Sequence, residues 1–343
     1  MTHPRTLRQA TALAAALALA LTGCATDTGD ADSTSGPAAP DAASNDTAAD
    51  GGATDSSDTT AEDTEAALDA FPVTVDTPAG EVTIQQRPER IVSLSASATE
   101  ILFAVGAGDQ VVAADEWSTY PEEAPTTDLS GYEPNVEAIV SYDPDLVVVA
   151  NDINDIVASL GQVDVPVIVN AAPADVEGGY DGMAALGLAT GHADDAAQAI
   201  STMREGMEEA FAAAPTDLDL RIYHEVDQTL FAASSHSFIG SVYAQMGATN
   251  IADEGDTEGS GFPQLTEEAI IEANPQLIVI QDLVGYTPED VAARPGWDQI
   301  DAVRNDNIVV VSSDIASRWG PRLPQLVTVV AEAMTAAAVP AGR

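Results

Sequence analysis

Val136-Glu137-Ala138-Ile139-Val140-Ser141-Tyr142-Asp143-Pro144-Asp145-Leu146-Val147-Val148-Val149 returns as Glu267-Glu268-Ala269-Ile270-Ile271-Glu272-Ala273-Asn274-Pro275-Gln276-Leu277-Ile278-Val279-Ile280, at one constant offset (268 − 137 = 131). Each copy opens a short helix with a glutamate in its first turn, where the positive end of the helix dipole favours a carboxylate. Asp-Pro or Asn-Pro then ends the helix, because the residue before proline is pushed out of the helical region. A run of Leu, Val and Ile follows, as in a strand buried on both faces of a parallel sheet. Two such units so far apart predict two α/β lobes of one plan, since a solenoid would repeat more often and at a shorter period.

The residues around the first copy agree. Val73–Val75 and Glu81–Ile84 flank Pro78-Ala79-Gly80 and read as a hairpin. Arg90 to Leu94 reads as the first core strand. Ser97-Ala98-Thr99-Glu100 has capping-box spacing and predicts a helix stopping at Gly106 and Gly108. Val111–Ala114 is the next strand, followed by a loop carrying Trp117, Tyr120 and Tyr132. A helix near 153–160 and a strand at 165–169 complete a first lobe at 71–182. Residues 183–214 read as an inter-lobe helical segment in which Ile200, Met203, Met207, Phe211 and Ala214 recur at helical spacing. The methionines read as core packing. The second lobe, 215–343, starts with strands at 220–225 and 229–232. It continues through a helix at 238–246, an acid- and glycine-rich loop with Phe262, the second cassette, a strand at 308–311, the loop Ser317 to Arg322 and a closing helix.

At the N-terminus, Arg5 and Arg8 precede an apolar run too short to span a bilayer but suited to a signal peptide. Leu21-Thr22-Gly23-Cys24 follows and resembles a bacterial lipobox. Residues 1–24 are thus expected to be a lipoprotein signal peptide, with the chain's one cysteine, Cys24, as the lipidation site and the only membrane attachment. Residues 25–70 are Asp, Thr, Ser, Ala and Gly with hardly a large apolar side chain, which predicts a disordered acidic tether. An exported chain, anchored to the outer face of the cell membrane, follows.

Composition excludes several classes. The 343 residues include 56 acids against 11 arginines and no lysine, for a net charge of −45. Nucleic acid is therefore not an expected partner, and a phosphate-binding loop lacks its lysine. Acidity with no lysine fits a salt-adapted or high-GC source and bears on solubility alone. No Gly-x-Ser-x-Gly elbow occurs, and His224-Glu225 is not followed by the second histidine of a zinc protease. His192, His224 and His236 are the histidines beyond the signal peptide, too few with no free thiol for a metal cluster. No catalytic residue, resident metal or cofactor is expected. A lipid-anchored hydrolase or a chelatase is the disfavoured alternative. What remains is a set of amphipathic side chains in loops between elements, as in a cleft between two lobes.

Arg87-Pro88-Glu89-Arg90-Ile91-Val92-Ser93-Leu94 with Ala98-Thr99-Glu100-Ile101-Leu102, Glu133-Pro134-Asn135-Val136-Glu137 with Pro144-Asp145-Leu146-Val147, and Trp297 with Ala302-Val303-Arg304 resemble the class III solute-binding proteins of ABC importers. These are receptors for cobalamin, ferric siderophores and haem. The resemblance, over about 71–338, implies two Rossmann-like α/β lobes joined by one long backbone α-helix, a monomer that holds its ligand between the lobes. It also implies docking on a dimeric permease through one glutamate per lobe. The matching positions are Glu137 and Glu268. The resemblance places Trp117, Tyr120 and Tyr132 in ligand-contacting loops, and the other side chains expected at the ligand from their own character and position are His236, Phe262, Arg318 and Trp319. With Arg318 and Arg322 as the available cations, an anionic ligand would meet an acidic protein with little compensation. A neutral corrinoid with amide arms suits aromatic walls better, so cobalamin or a related cobamide ranks ahead of a ferric siderophore. Haem ranks third, with His236 or a tyrosine as the iron ligand it would require.

Overall fold

The computed structural model describes residues 70–215, 220–282 and 285–338. The expected signal peptide, Cys24 and nearly all of the acidic tether lie outside the described residues.

In chain order the strands are β1 (Val73–Thr77), β2 (Gly80–Ile84), β3 (Ile91–Leu94), β4 (Val111–Asp115), β5 (Thr126–Leu129), β6 (Leu146–Val149), β7 (Val167–Val169), β8 (Arg221–His224), β9 (Thr249–Asn250), β10 (Leu277–Gln281) and β11 (Ile308–Val311). The helices are α1 (Ala96–Ala104), α2 (Val136–Val140), α3 (Ile156–Gly161), α4 (Val176–Thr190), α5 (Ala193–Ala213), α6 (Phe238–Gln245), α7 (Glu267–Ala273), α8 (Pro288–Ala292), α9 (Asp301–Arg304), α10 (Ser313–Ala316) and α11 (Leu323–Ala338). The first sheet runs β5-β4-β3-β6-β7 and the second β11-β10-β8-β9. Every pairing in both is parallel. The hairpin β1-β2 stands apart as a two-stranded antiparallel sheet.

The duplication read in the sequence is a duplication of structure. Asn135 caps α2 by accepting from the Ala138 amide, and Thr266, 131 positions later, caps α7 by accepting from Ala269. Each helix is followed by a residue in the left-handed conformation just before proline, Asp143 (φ 52°) and Asn274 (φ 48°). Asp and Asn are side chains that tolerate this region. The repeat also reaches the preceding strand. Arg90 donates to the carbonyls of Tyr142 and Asp143, and Arg221 donates to those of Ala273 and Asn274. Asp145 accepts from the Arg90 amide, and Gln276 accepts from the Arg221 amide. Each arginine thus satisfies carbonyls at a helix end that would otherwise lack partners, and locks the helix to the neighbouring central strand.

Between the lobes, α4 packs on β1 and α1, and α5 lies against both α4 and α11 of the second lobe. Twenty-one residues make α5 roughly 31 Å long. Met203 and Met207 are buried in the core, as their spacing predicts.

Several local expectations are corrected. The side-chain cap of α1 is Ser95, which accepts from Ala98, so Ser97 and Glu100 do not form the expected capping box. Both are held instead by residues of the second lobe. α4 begins at Val176, ahead of the helical segment read from 183. Residues 229–232 form no strand, because the Asp227 turn and left-handed Leu230 (φ 66°) leave only isolated bridges at Glu225–Ala232 and Phe231–Gln264.

Candidate functional site

All strands of the first sheet run parallel, so their C-terminal ends share one edge, and a cleft forms there. Ser95 to Ser97 follow β3, Asp115 ends β4, Gly131 and Tyr132 follow β5, Asn151 follows β6, and Asn170 follows β7. Facing them from the second lobe are Val226 to Gln228 after β8, Gln281 at the end of β10, and Ser313, Asp314, Ser317, Arg318 and Trp319 after β11. The first turns of α4, with Gly178, Gly179 and Gly182, complete the wall. The cavity measures about 620 Å³, within the range of small-molecule sites, and it lies where open parallel sheets place ligands.

Of the seven residues expected at the ligand, Trp117, Tyr132, Arg318 and Trp319 line this cavity. Tyr132 is 71 % exposed and Trp117 is also exposed, which gives an aromatic rim. Trp319 is different in kind. At 4 % exposure it belongs to the core, edge-on to Tyr180 with ring centroids 5.5 Å apart. A Cβ on Gly179 would lie 1.8 Å from its ring, so the wall closes only because position 179 has no side chain. The Trp319 indole nitrogen has no hydrogen-bond partner among the described residues.

The other three sit off the cavity lining. Tyr120 lies beneath the Arg322 guanidinium, 4.0 Å from ring centroid to carbon. His236 pairs through Nδ1 with Asp256 at 3.0 Å. The Asp256 carboxylate also accepts from the Ser234 hydroxyl and from the amides of Ser260 and Gly261. These bonds, the Ser234 hydroxyl first, hold it well below the usual carboxylate range. Phe262 follows that knot and is half exposed. The aromatic Tyr286, another loop side chain, donates to buried Glu225, which Arg294 grips at 2.6 and 2.7 Å.

Charge in the cleft is nearly all committed. Arg318 is the one cation among the lining residues, facing Asp115, Asp227 and Asp314. Its Nη2 is 2.8 Å from Asp314, and its Nη1 is 3.8 Å from Glu100 and makes no hydrogen bond among the described residues. Arg322 binds Glu100 through Nε and Nη2. The Ser97 hydroxyl donates to the Trp319 carbonyl. Burial pushes the Asp115 carboxyl above its ordinary range, opposed by the Ser118 hydroxyl and by the charge of Arg318. Sequence reasoning missed Asp115, Asn151, Asn170, Gln281 and Asp314. Their common signal is position at or just after a strand's C-terminal end.

Glu137 and Glu268 hold the same place in their repeats, second residue of α2 and of α7, and both are exposed. Among the described residues no group of three or more His, Cys, Asp or Glu side chains is arranged to hold a metal ion. No described helix is long and apolar enough to cross a membrane.

Two parallel α/β lobes with a cleft at their strand ends and a long helix against both define a two-lobe solute-binding protein. The chain belongs to the periplasmic binding protein family, whose profile it matches over residues 91–315. It is 32 % identical to the uncharacterized ABC transporter substrate-binding lipoprotein YvrC of Bacillus subtilis, covering 78 % of this chain and 86 % of that one. It is also 32 % identical to a cobalamin-binding protein of Halobacterium salinarum, covering 74 % and 72 %. In fold it is similar to the periplasmic vitamin B12 binding protein BtuF of Vibrio cholerae, with TM-score 0.60, 23 % identity and coverage of 73 % and 98 %. The periplasmic heme-binding protein RhuT of Roseiflexus is similar to the same degree, with TM-score 0.65, 23 % identity and coverage of 73 % and 99 %.

Proposed function

We propose that this protein is the extracytoplasmic receptor of an ABC importer for cobalamin or a related cobamide, tethered to the membrane by lipid on Cys24. It is a carrier and performs no chemistry on its cargo. The observation that carries the choice of ligand is the state of Arg318. Arg318, the one cation among the described residues lining the cleft, is already shared between Asp314 and Glu100, and Asp115 and Asp227 add further negative charge. A ferric siderophore or haem bearing free carboxylates would have to be desolvated with no spare cation to receive it, which costs several kcal/mol per unpaired ion. A bulky neutral ligand with amide arms meets Asn151, Asn170, Gln228, Gln281 and two exposed rings. Cobalamin binding by a relative at 32 % identity supports the same choice.

Delivery would follow from Glu137 and Glu268 meeting basic residues of a two-fold permease, one from each lobe. The test is titration of the soluble chain with cyanocobalamin, ferric siderophores and haem, followed by absorbance and calorimetry. Saturable one-to-one binding of the corrinoid alone is expected. Tight binding of haem or a ferric siderophore with no response to corrinoid overturns the reading.

A further inference from the structure

We infer that Asp115 selects a hydrogen-bond-donating group on the ligand, a primary carboxamide, and that Gly131 keeps the approach to its Oδ2 open. This rests on the corrinoid reading above and names the group within that ligand that is read.

Asp115 ends β4 at the cleft wall and is 3 % exposed. Its Oδ1 accepts from the Ser118 hydroxyl at 2.7 Å. Ser118 Oγ is 2.8 Å from Thr99 Oγ1, which lies 2.8 Å from Ser93 Oγ. All three hydroxyls are buried, so a fixed polar chain runs from the sheet to this carboxyl and sets its orientation. Among the described residues no cation comes within ion-pair distance of it. A buried carboxyl without a cation is costly unless hydrogen bonds compensate it.

The Ser118 hydroxyl bonds Oδ1, and the Ser118 and Trp117 amides also act on this carboxyl as the turn folds over it. Oδ2 points toward Gly131, where an added Cβ would sit 3.0 Å from it and 2.5 Å from the Leu94 carbonyl. Gly131 itself lines the cleft. Any side chain there would occupy the space through which a ligand reaches Oδ2. On the opposite lobe, Arg318 lines the same cleft, and its buried Nη1 makes no hydrogen bond among the described residues. The cleft wall therefore carries the Asp115 carboxyl on one lobe and the Arg318 guanidinium on the other. A carboxamide suits both, its NH2 donating to Asp115 and its carbonyl accepting from Arg318. A carboxylate satisfies only the arginine and sets its charge against Asp115.

The experiment compares cyanocobalamin with its monocarboxylic acids, in which one peripheral carboxamide has been hydrolysed. Wild type is expected to lose about tenfold or more in affinity for one acid isomer, the loss typical of a buried polar group left unpaired. Asp115→Asn removes the charge and leaves one acceptor where there were two. It should bind intact cyanocobalamin about tenfold more weakly, with its discrimination against that isomer reduced to roughly threefold or less. Asp115→Ser, with matched thermal unfolding, repeats the measurement with a smaller side chain. If both variants bind the intact corrinoid like wild type and keep wild-type discrimination, Asp115 only braces its turn and the inference is overturned. Wild type that binds cyanocobalamin and all its acids equally overturns this inference and leaves the corrinoid reading standing. Wild type that binds no corrinoid overturns both.

Discussion

Glu100 and Arg322, 222 positions apart in sequence, meet in a two-point ion pair that ties the first lobe to the second, with Nε 2.8 Å from Oε2. Both side chains are largely buried, the arginine's guanidinium carbon lies 4.0 Å from the centre of the Tyr120 ring, and Arg318 stands 3.8 Å from Glu100 on the cleft side. The contact therefore fixes the relative orientation of the lobes beside the cavity wall. Removing one partner strands a buried charge, so Glu100→Ala is expected to cost about 3–5 kcal/mol. Replacing both, Glu100→Leu with Arg322→Met, should recover most of that loss because two apolar groups need no partner. Urea unfolding of the three proteins checks this. A single variant as stable as wild type would mean that the pair does not hold the lobes.

A second expectation concerns pH. His224 is fully buried, with Nδ1 2.7 Å from the Tyr243 hydroxyl and Nε2 3.2 Å from the Gln281 amide nitrogen. Burial lowers its pKa from 6.5 to about 4. The unfolded chain thus takes up a proton near pH 6.5 that the folded chain refuses until about pH 4. This stabilising contribution is complete above pH 6.5 and is lost as pH falls toward 4, amounting to about 2 kcal/mol at pH 5. His224→Gln should flatten the difference between denaturation midpoints at pH 7.5 and pH 5. An unchanged difference would place the pH dependence elsewhere.

These residues mark what the sequence could and could not disclose. The cassettes were readable because every cue in them is local: a cap, an acid in the first turn, a residue before proline and a four-residue apolar run. The same locality misled at Ser97 and Glu100, whose spacing imitates a capping box while their true partners lie in the second lobe. Strand β5, Thr-Thr-Asp-Leu, escaped notice because an edge strand is half exposed and needs no apolar run. In the site, Trp117, Tyr132, Arg318 and Trp319 stood out by size or charge and do line the cleft. Tyr120 and His236 stood out equally, but their side chains are taken by Arg322 and Asp256. Asn151, Asn170 and Gln281 carry no motif. Only the register of parallel strands brings them to one edge.

The contact of Gly179 with Trp319 gives a third test. An added methyl would sit 1.8 Å from the indole, so Gly179→Ala must push the ring toward the cleft or distort α4. Overpacking of this kind typically costs about 1–3 kcal/mol. A lower melting temperature, altered tryptophan fluorescence and weaker corrinoid binding should appear together. Unaltered binding with lowered stability would mean that the wall at this point does not touch ligand.

Glu137 and Glu268 allow the transport role to be separated from the structural one. Each is the second residue of its helix, and each is exposed, so its effect on stability through the helix dipole is at most ~0.3–1 kcal/mol. Neither residue lines the cleft, so ligand affinity should not respond to Glu137→Gln or Glu268→Gln. If the pair serves only its helices, uptake should be as indifferent as affinity. If one carboxylate per lobe meets a basic residue on each half of a two-fold permease, each substitution removes one of two matched contacts. The variants should then stimulate permease ATP hydrolysis less than wild type, and the double variant should fail almost wholly at unchanged corrinoid affinity. Reconstitution of the permease in liposomes with each receptor variant measures this directly. Equal stimulation by wild type and the double variant would remove both glutamates from the interface.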